Sequence, residues 1–274
     1  MSSARSFLLP RRPLGLLGAL GAAGALIGTT RSAQAQSIDD ILNKKKLQIG
    51  VEIDFPPFGL APAGNQYEGY DIDVSKLMAK YMGVDLELVP VTAPNRIPYL
   101  LTGKIDVLSA CFSITPERAR QVAFSIPYAS IDIELLAPKA TKITGADDMK
   151  GMKVGVARAT IQDTAVTAIA PPGTRIMRFD DDAGATQAML SGQIDALGAN
   201  NMTAKTIMDM NPSAQYEVKM MLRGSSRAGI ALRRGQTDLL QWVNTFVYFI
   251  KNNGELDTIC RKWLGTPLPE LPVF

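Results

Sequence analysis

Leu47-Gln48-Ile49-Gly50-Val51-Glu52-Ile53 reads as a short apolar strand, and Asp54-Phe55-Pro56-Pro57-Phe58 reads as the turn that ends it. Two consecutive prolines remove ladder donors, so the sheet cannot continue through them. Downstream, Ile72, Val74, Leu77, Met78 and Tyr81 recur at helical spacing, which predicts a helix over Tyr70–Met82. Leu86–Val91 alternates as a strand does. Asn95 is placed to cap a following helix that buries Ile97, Leu100 and Leu101. Ile105–Ala110 is then a buried strand. Thr115-Pro116-Glu117 starts another helix, with proline in its first turn and an acid near its N-terminus.

A second unit with the same rhythm begins after Pro138. Lys153–Ala157 is a strand, Thr160–Ile169 a helix, Arg175–Phe179 a strand and Ala183–Ser191 a helix. Ile194–Ala199 returns as a strand, with a helix around Met202–Met210. Leu239–Trp263 is an amphipathic helical region broken at Asn252-Asn253-Gly254, and core packing accounts for it. Alternating strands and helices predict two α/β units. Gly103-Lys104-Ile105-Asp106 and Gly192-Gln193-Ile194-Asp195 give both units a similar step, as two like lobes would have.

Residues 1–35 read as an export signal. Arg5, Arg11 and Arg12 precede the apolar run Leu14–Ile27, and Ala33-Gln34-Ala35 offers a cleavage site before Gln36. The run is short and glycine-rich for a membrane span, although a retained anchor is the alternative. Arg11-Arg12 does not decide between the general and the twin-arginine export routes. That segment carries four of the 29 basic residues and no acid, so 25 bases face 26 acids in the remainder, a net charge of −1. Nothing forms the clustered basic surface that nucleic acid requires. Histidine is absent, which excludes Ser-His-Asp and Cys-His catalysis and leaves metals only carboxylates and thiols. No metal or cofactor is expected. Cys111 and Cys260 stand far apart without motif spacing and are read as unpaired thiols.

Taken in order, several segments resemble the polar amino-acid family of periplasmic substrate-binding proteins, the family 3 receptors of ABC importers. They are Gly50–Phe58, Gly69-Tyr70-Asp71-Ile72-Asp73-Val74, Gly103–Asp106, Ser113–Arg118, Phe124–Tyr128, and Glu255-Leu256 with Lys262-Trp263-Leu264-Gly265. The similarity runs from about Leu47 to Gly265. It implies a hinged two-lobe α/β fold of the type II periplasmic-binding-protein class. Lobe 1 would comprise 36–131 and 224–274, and lobe 2 would comprise 132–223. The chain would cross near Ile131–Leu135 and return near Arg223–Gly229, with a ligand buried between the lobes on closure.

The resemblance also assigns site residues. Read locally, Arg118 is a surface arginine at a helix start; the family places a carboxylate-binding arginine there, where a guanidinium offers paired donors. Ser113 precedes it and can serve the same carboxylate. Thr160, an N-cap in the second lobe, can add backbone N–H groups. Relatives hold the ligand's ammonium with an aspartate where this chain has Asn200. Glu52 either supplies the missing charge or pairs with a basic residue at the rim. Cys111 takes a position often filled by serine, and Ile161 one often filled by threonine. Ala93 and Ala157 replace larger residues, so a roomier and less polar pocket is expected. Phe55, Phe58 and Tyr70 are available to line it, Tyr70 alternatively packing in the core. Arg158 either meets a second acid on the ligand or faces solvent.

The function implied is a monomeric periplasmic receptor. It would bind an amino acid or related small carboxylate and deliver it to an inner-membrane ABC permease. It needs no catalytic residue. The alternative is a periplasmic lyase like cyclohexadienyl dehydratase, acting on prephenate or arogenate with Glu52 as proton donor. A third reading, a sensor acting through a separate membrane partner, has no fused signalling domain behind it.

Overall fold

The computed structural model describes residues 38–63 and 66–272; the export signal read over residues 1–35 lies outside them. The chain opens with α1 (Ile38–Lys44) and β1 (Lys46–Glu52). A small sheet follows, built from β2 (Asp54–Phe55), β3 (Gly59–Ala63) and β4 (Gln66–Glu68). Next come α2 (Tyr70–Met82), β5 (Asp85–Val91), α3 (Arg96–Leu101), β6 (Val107–Leu108) and α4 (Pro116–Ala119). β7 (Val122–Pro138) leads into β8 (Lys153–Ala157), α5 (Ile161–Ile169), β9 (Arg175–Phe179), α6 (Asp182–Leu190), β10 (Ala196–Asn200) and α7 (Asn201–Met210). β11 (Tyr216–Arg233), α8 (Thr237–Asn252) and α9 (Glu255–Leu264) complete it.

The larger sheet has eight strands in the order β5-β1-β6-β11-β7-β10-β8-β9. At one end β1 runs parallel to β5 and β6, and at the other β8 runs parallel to β9 and β10. Between them lie β7 and β11, of 17 and 18 residues, paired antiparallel and serving both ends. Their register shifts at five places along the ladder, two of them, Met221/Arg223 and Arg223/Ser226, opposite Ile131–Glu134. Ser225 there has φ 50 and donates its N–H to Asp132 Oδ1 at 2.5 Å. A ladder interrupted at its middle bends more easily than a regular one.

The burial pattern divides the molecule. Ile49, Val51, Ile72, Met78, Val243 and Leu256 pack under β1, α2, α8 and α9, while Leu100, Ile105, Leu108 and Phe112 cover the opposite face. Leu135, Val154, Val156, Val166, Met189 and Leu197 form a separate core in the second half. Each such side chain contributes about 1.5–3 kcal/mol when withdrawn from water. α2 starts where the sequence predicts because Gly69, at φ +134, lets the chain pass Phe58; a Cβ there would lie 2.3 Å from the Phe58 carbonyl oxygen. It stops at Gly83, whose left-handed conformation turns its N–H back to the Lys80 carbonyl.

Three local expectations need correction. Asp54-Phe55 leaves the main sheet but still forms strand β2, because the prolines follow it rather than interrupt it. Asn95 does not cap α3; its Oδ1 accepts from the Thr92 N–H and shapes the preceding turn. On α3 itself Leu101 is 50% exposed, whereas Arg96 is 5% exposed and shares the inner face with Leu100. Cys111 and Cys260 are buried and unpaired, and no helix among the described residues is long and apolar enough to cross a membrane.

Candidate functional site

The carboxyl ends of β1 and β8 face each other across a cleft, the usual place for a ligand in an open α/β sheet. β1 delivers Glu52, and the turn after it delivers Phe55. The loop between β6 and α4 brings Cys111, Ser113 and Arg118. Thr160 arrives from the other side at the head of α5. All of these line one small cavity, together with Arg96, Gln162 and Asp182. The space that a water centre can reach inside it is about 10 Å³, room for about one water molecule. The roomy pocket expected from Ala93 and Ala157 is therefore not found. Arg96 fills the space beside Ala93 and donates from Nε to its carbonyl at 3.3 Å.

Two guanidiniums dominate the first wall. Arg118 donates from Nη1 to the Ser113 carbonyl at 2.9 Å and from Nη2 to the Ala159 carbonyl at 3.2 Å. Arg96 donates from Nη2 to the same Ala159 carbonyl at 3.4 Å and from Nη1 to Glu52 Oε2 at 3.1 Å. Both stack on Phe112, with guanidinium carbons 4.2 Å (Arg118) and 4.8 Å (Arg96) from the ring centre. Burial, reinforced by Arg96, lowers Arg118 to about 9. Glu52 is pushed up to about 7 by burial, against the opposing pull of Arg96. Of the two local readings of Glu52, pairing with an arginine is what the geometry shows, but deep in the cleft rather than at its rim.

The loop that carries Cys111 and Ser113 is held from below. Cys111 takes φ 40, and its N–H donates to Tyr128 Oη at 3.0 Å. Tyr128 in turn donates to Asp71 Oδ1 at 2.5 Å, and Tyr70 donates to the Tyr128 carbonyl at 2.7 Å. Tyr70 and Phe58 are fully buried behind Phe55 and do not reach the cavity. Burial raises the Cys111 thiol well above its ordinary value, which makes it an inert lining group. Ser226 Oγ donates to Ser113 Oγ at 3.0 Å, tying this wall to β11.

On the second wall Thr160 caps α5. Its Oγ1 accepts from the Asp163 N–H at 3.1 Å and donates to the Ala157 carbonyl at 2.6 Å. The residue before it, Ala159, has φ 62, which aims its carbonyl at the two arginines. Arg158 points away, paired with Asp180 at 2.9 Å on the surface. Asn200 does not line the cavity. It is fully buried as the N-cap of α7, accepting from the Met202 and Thr203 N–H groups at 2.8 and 2.9 Å. Its Nδ2 donates to Thr203 Oγ1, which donates across the cleft to the Pro56 carbonyl at 3.2 Å.

Sequence reasoning missed Arg96, Gln162 and Asp182. Arg96 stands four residues before Leu100, a spacing that puts both on one helix face. Asp182 ends the run Asp180-Asp181-Asp182, which has the look of a solvated turn, and no periodicity marks it. Asp180 and Asp181 behave as such residues, Asp180 pairing with Arg158 on the surface and Asp181 capping α6 by accepting from the Gly184 N–H at 2.7 Å. Asp54 meets α6 from the other side of the cleft, its carboxylate facing the N–H groups of Asp182 and Ala183.

The geometry can be set beside known proteins. The glutamine-binding protein GlnH of an ABC transporter in Bacillus subtilis is 32% identical over 254 residues, covering 91% of this chain and 92% of that one. A crystal structure of a solute receptor for L-cysteine from Neisseria gonorrhoeae superposes with a TM-score of 0.79 at 31% identity, covering 84% of this chain and 94% of that one. The ancestral amino-acid-binding protein AncCDT-1, described as a precursor of cyclohexadienyl dehydratase, gives a TM-score of 0.75 at 33% identity over 82% of this chain and 98% of its own. The sequence profile of one family matches residues 47–266, nearly the whole of the described fold, and the chain belongs to it: bacterial extracellular solute-binding proteins, family 3.

Proposed function

We propose that this chain is the periplasmic receptor of an ABC importer, closing two hinged lobes around an amino acid whose carboxylate is held by Arg118. Lobe 1 is formed by 36–131 and 224–274 and lobe 2 by 132–223, with β7 and β11 as the hinge. The observation that carries the reading is the state of Arg118. It is drawn into the cleft, its charge disfavoured by burial, and its partners among the described residues are backbone carbonyls with no carboxylate. A ligand carboxylate, taking the place of the Ala159 carbonyl, would bond Arg118 and Arg96 together and restore charge balance. The N–H groups at the head of α5 favour an anion at the same point.

The tight cavity implies that the lobes separate to admit a ligand and close over it. The relatives named above are binding proteins, so delivery rather than chemistry is the role assigned. Residues 1–35 direct the chain to the periplasm, its partner there is an inner-membrane permease, and it acts as a monomer.

The test is a titration of the mature protein, unfolded and refolded to remove carried ligand, against the proteinogenic amino acids. A true ligand at a thousand times its dissociation constant stabilises by about 4 kcal/mol, a rise in melting temperature on the order of 10 °C. Absence of any such rise, or release of phenylpyruvate from prephenate, would overturn the receptor reading.

A further inference from the structure

The charges on the two walls differ, and the difference bears on what the ligand carries beyond its carboxylate. The first wall holds Arg96 and Arg118, with Glu52 already matched to Arg96 at 3.1 Å. Across from them Asp182 lines the cavity; its carboxylate makes no hydrogen bond or salt bridge to a described residue, and Arg96 is the cation that attracts it. Gln162 lines it too. Its side chain is 3% exposed, and its amide has no hydrogen-bond partner among the described residues. The Gln162 amide and the partly buried Asp182 carboxylate line one cavity without a hydrogen bond to a described side chain, and both can accept from a ligand donor.

Asn200, which stands where relatives carry an ammonium-binding aspartate, cannot supply a countercharge. Its amide is used up in capping α7 and in holding Thr203 against Pro56. We infer that Asp182, with Gln162 beside it and Glu52 opposite, binds the ammonium of the ligand, so that the cleft selects zwitterionic α-amino acids over plain carboxylates. This rests on the receptor reading above and adds to it a position for the positive charge.

Asp182 is destabilised as an anion first by burial and then by Glu52 and Asp54. An acid in that position is neutralised either by a proton or by a cation placed against it. An ammonium between Asp182 and Glu52 supplies that cation, and its remaining proton meets the Gln162 carbonyl. A ligand without the ammonium leaves Asp182 only the attraction of Arg96, which is already paired with Glu52. Asp54 acts as a positioning residue, because its contact with the first N–H groups of α6 fixes the end of the helix that carries Asp182.

The experiment uses the full mature chain and calorimetric titration with each proteinogenic L-amino acid and its matching 2-hydroxy acid. The wild type should bind its best amino acid at least a hundredfold more tightly than the 2-hydroxy acid. Asp182→Asn should lower amino-acid affinity at least tenfold and leave 2-hydroxy-acid affinity equal or higher, compressing that ratio. Glu52→Gln provides a second variant with the same direction if Asp182→Asn folds poorly. An unchanged ratio in both variants overturns the inference while leaving the receptor reading intact. So does a ratio that responds only to Asn200→Asp. If the wild type binds neither class, the receptor reading itself fails and this inference falls with it.

Discussion

Asp71 sits in the most recognisable segment of the chain yet never touches the cleft. Its carboxyl is 1% exposed and accepts from Tyr128, which holds the Cys111 N–H above it. Its place in the Gly69–Val74 segment is thus explained by support of the cavity wall from one layer below. Burial pushes Asp71 from the ordinary carboxylate range to about 7, against the lowering effect of the Tyr128 bond. Glu52 rises to about 7 for the same first reason. A raised acid binds its proton more tightly in the folded state than in the unfolded one. Its contribution is therefore complete below about pH 4 and is lost as pH rises toward 7. Raising the pH from 5 to 8 should cost the wild type a few kcal/mol through these two groups. Asp71→Asn, which keeps an acceptor for Tyr128, should flatten that slope in urea melts taken at the two pH values. An equal slope in wild type and variant would show that Asp71 ionises freely in the fold.

At the scale of elements, two helix starts in the second half, α6 and α7, reach across the cleft. Asn200 caps α7 and passes a hydrogen bond through Thr203 to Pro56, and Asp54 meets the first N–H groups of α6. Asn200→Ala should cost about 1 kcal/mol, the usual loss for an N-cap, measurable by denaturant melts. Asn200→Asp retains the acceptor and should stay within about 0.5 kcal/mol of wild type, a cap by aspartate being as good as one by asparagine. Asp54→Ala should leave the melting temperature of the ligand-free protein unchanged but widen the molecule in small-angle scattering with ligand bound. An unchanged radius of gyration would remove Asp54 from the closing contacts.

The same elements show what the sequence could and could not reveal. α2, β8 and β9 were legible to the residue because an apolar period and flanking breakers both marked them. Thr160 was legible because a cap leaves a local signature, and the structure places it on the cavity. Arg96 and Asp182 were not. Their burial depends on which strands and helices come together across the cleft, and neither propensity nor spacing records that. Asn200 was misleading for the converse reason: its position matched a site, but a local cap had already claimed its side chain.

At the scale of the whole molecule, one eight-stranded sheet runs through both halves, with β7 and β11 at its centre. The cavity lies where both halves contribute charged groups, and on the receptor reading proposed above, ligand contacts on both walls would favour the closed arrangement. The most direct measurement is calorimetric affinity of Arg118→Ala for the amino acid that the wild type binds best, with folding checked by circular dichroism. Loss of a buried, charge-assisted contact predicts a penalty of about 2–5 kcal/mol, or roughly 30-fold to several-thousandfold in affinity. The melting temperature of the ligand-free variant should be no lower than that of the wild type, since a buried charge next to Arg96 has been removed. Undiminished affinity in a folded Arg118→Ala protein would contradict the account, because the carboxylate would then be held elsewhere.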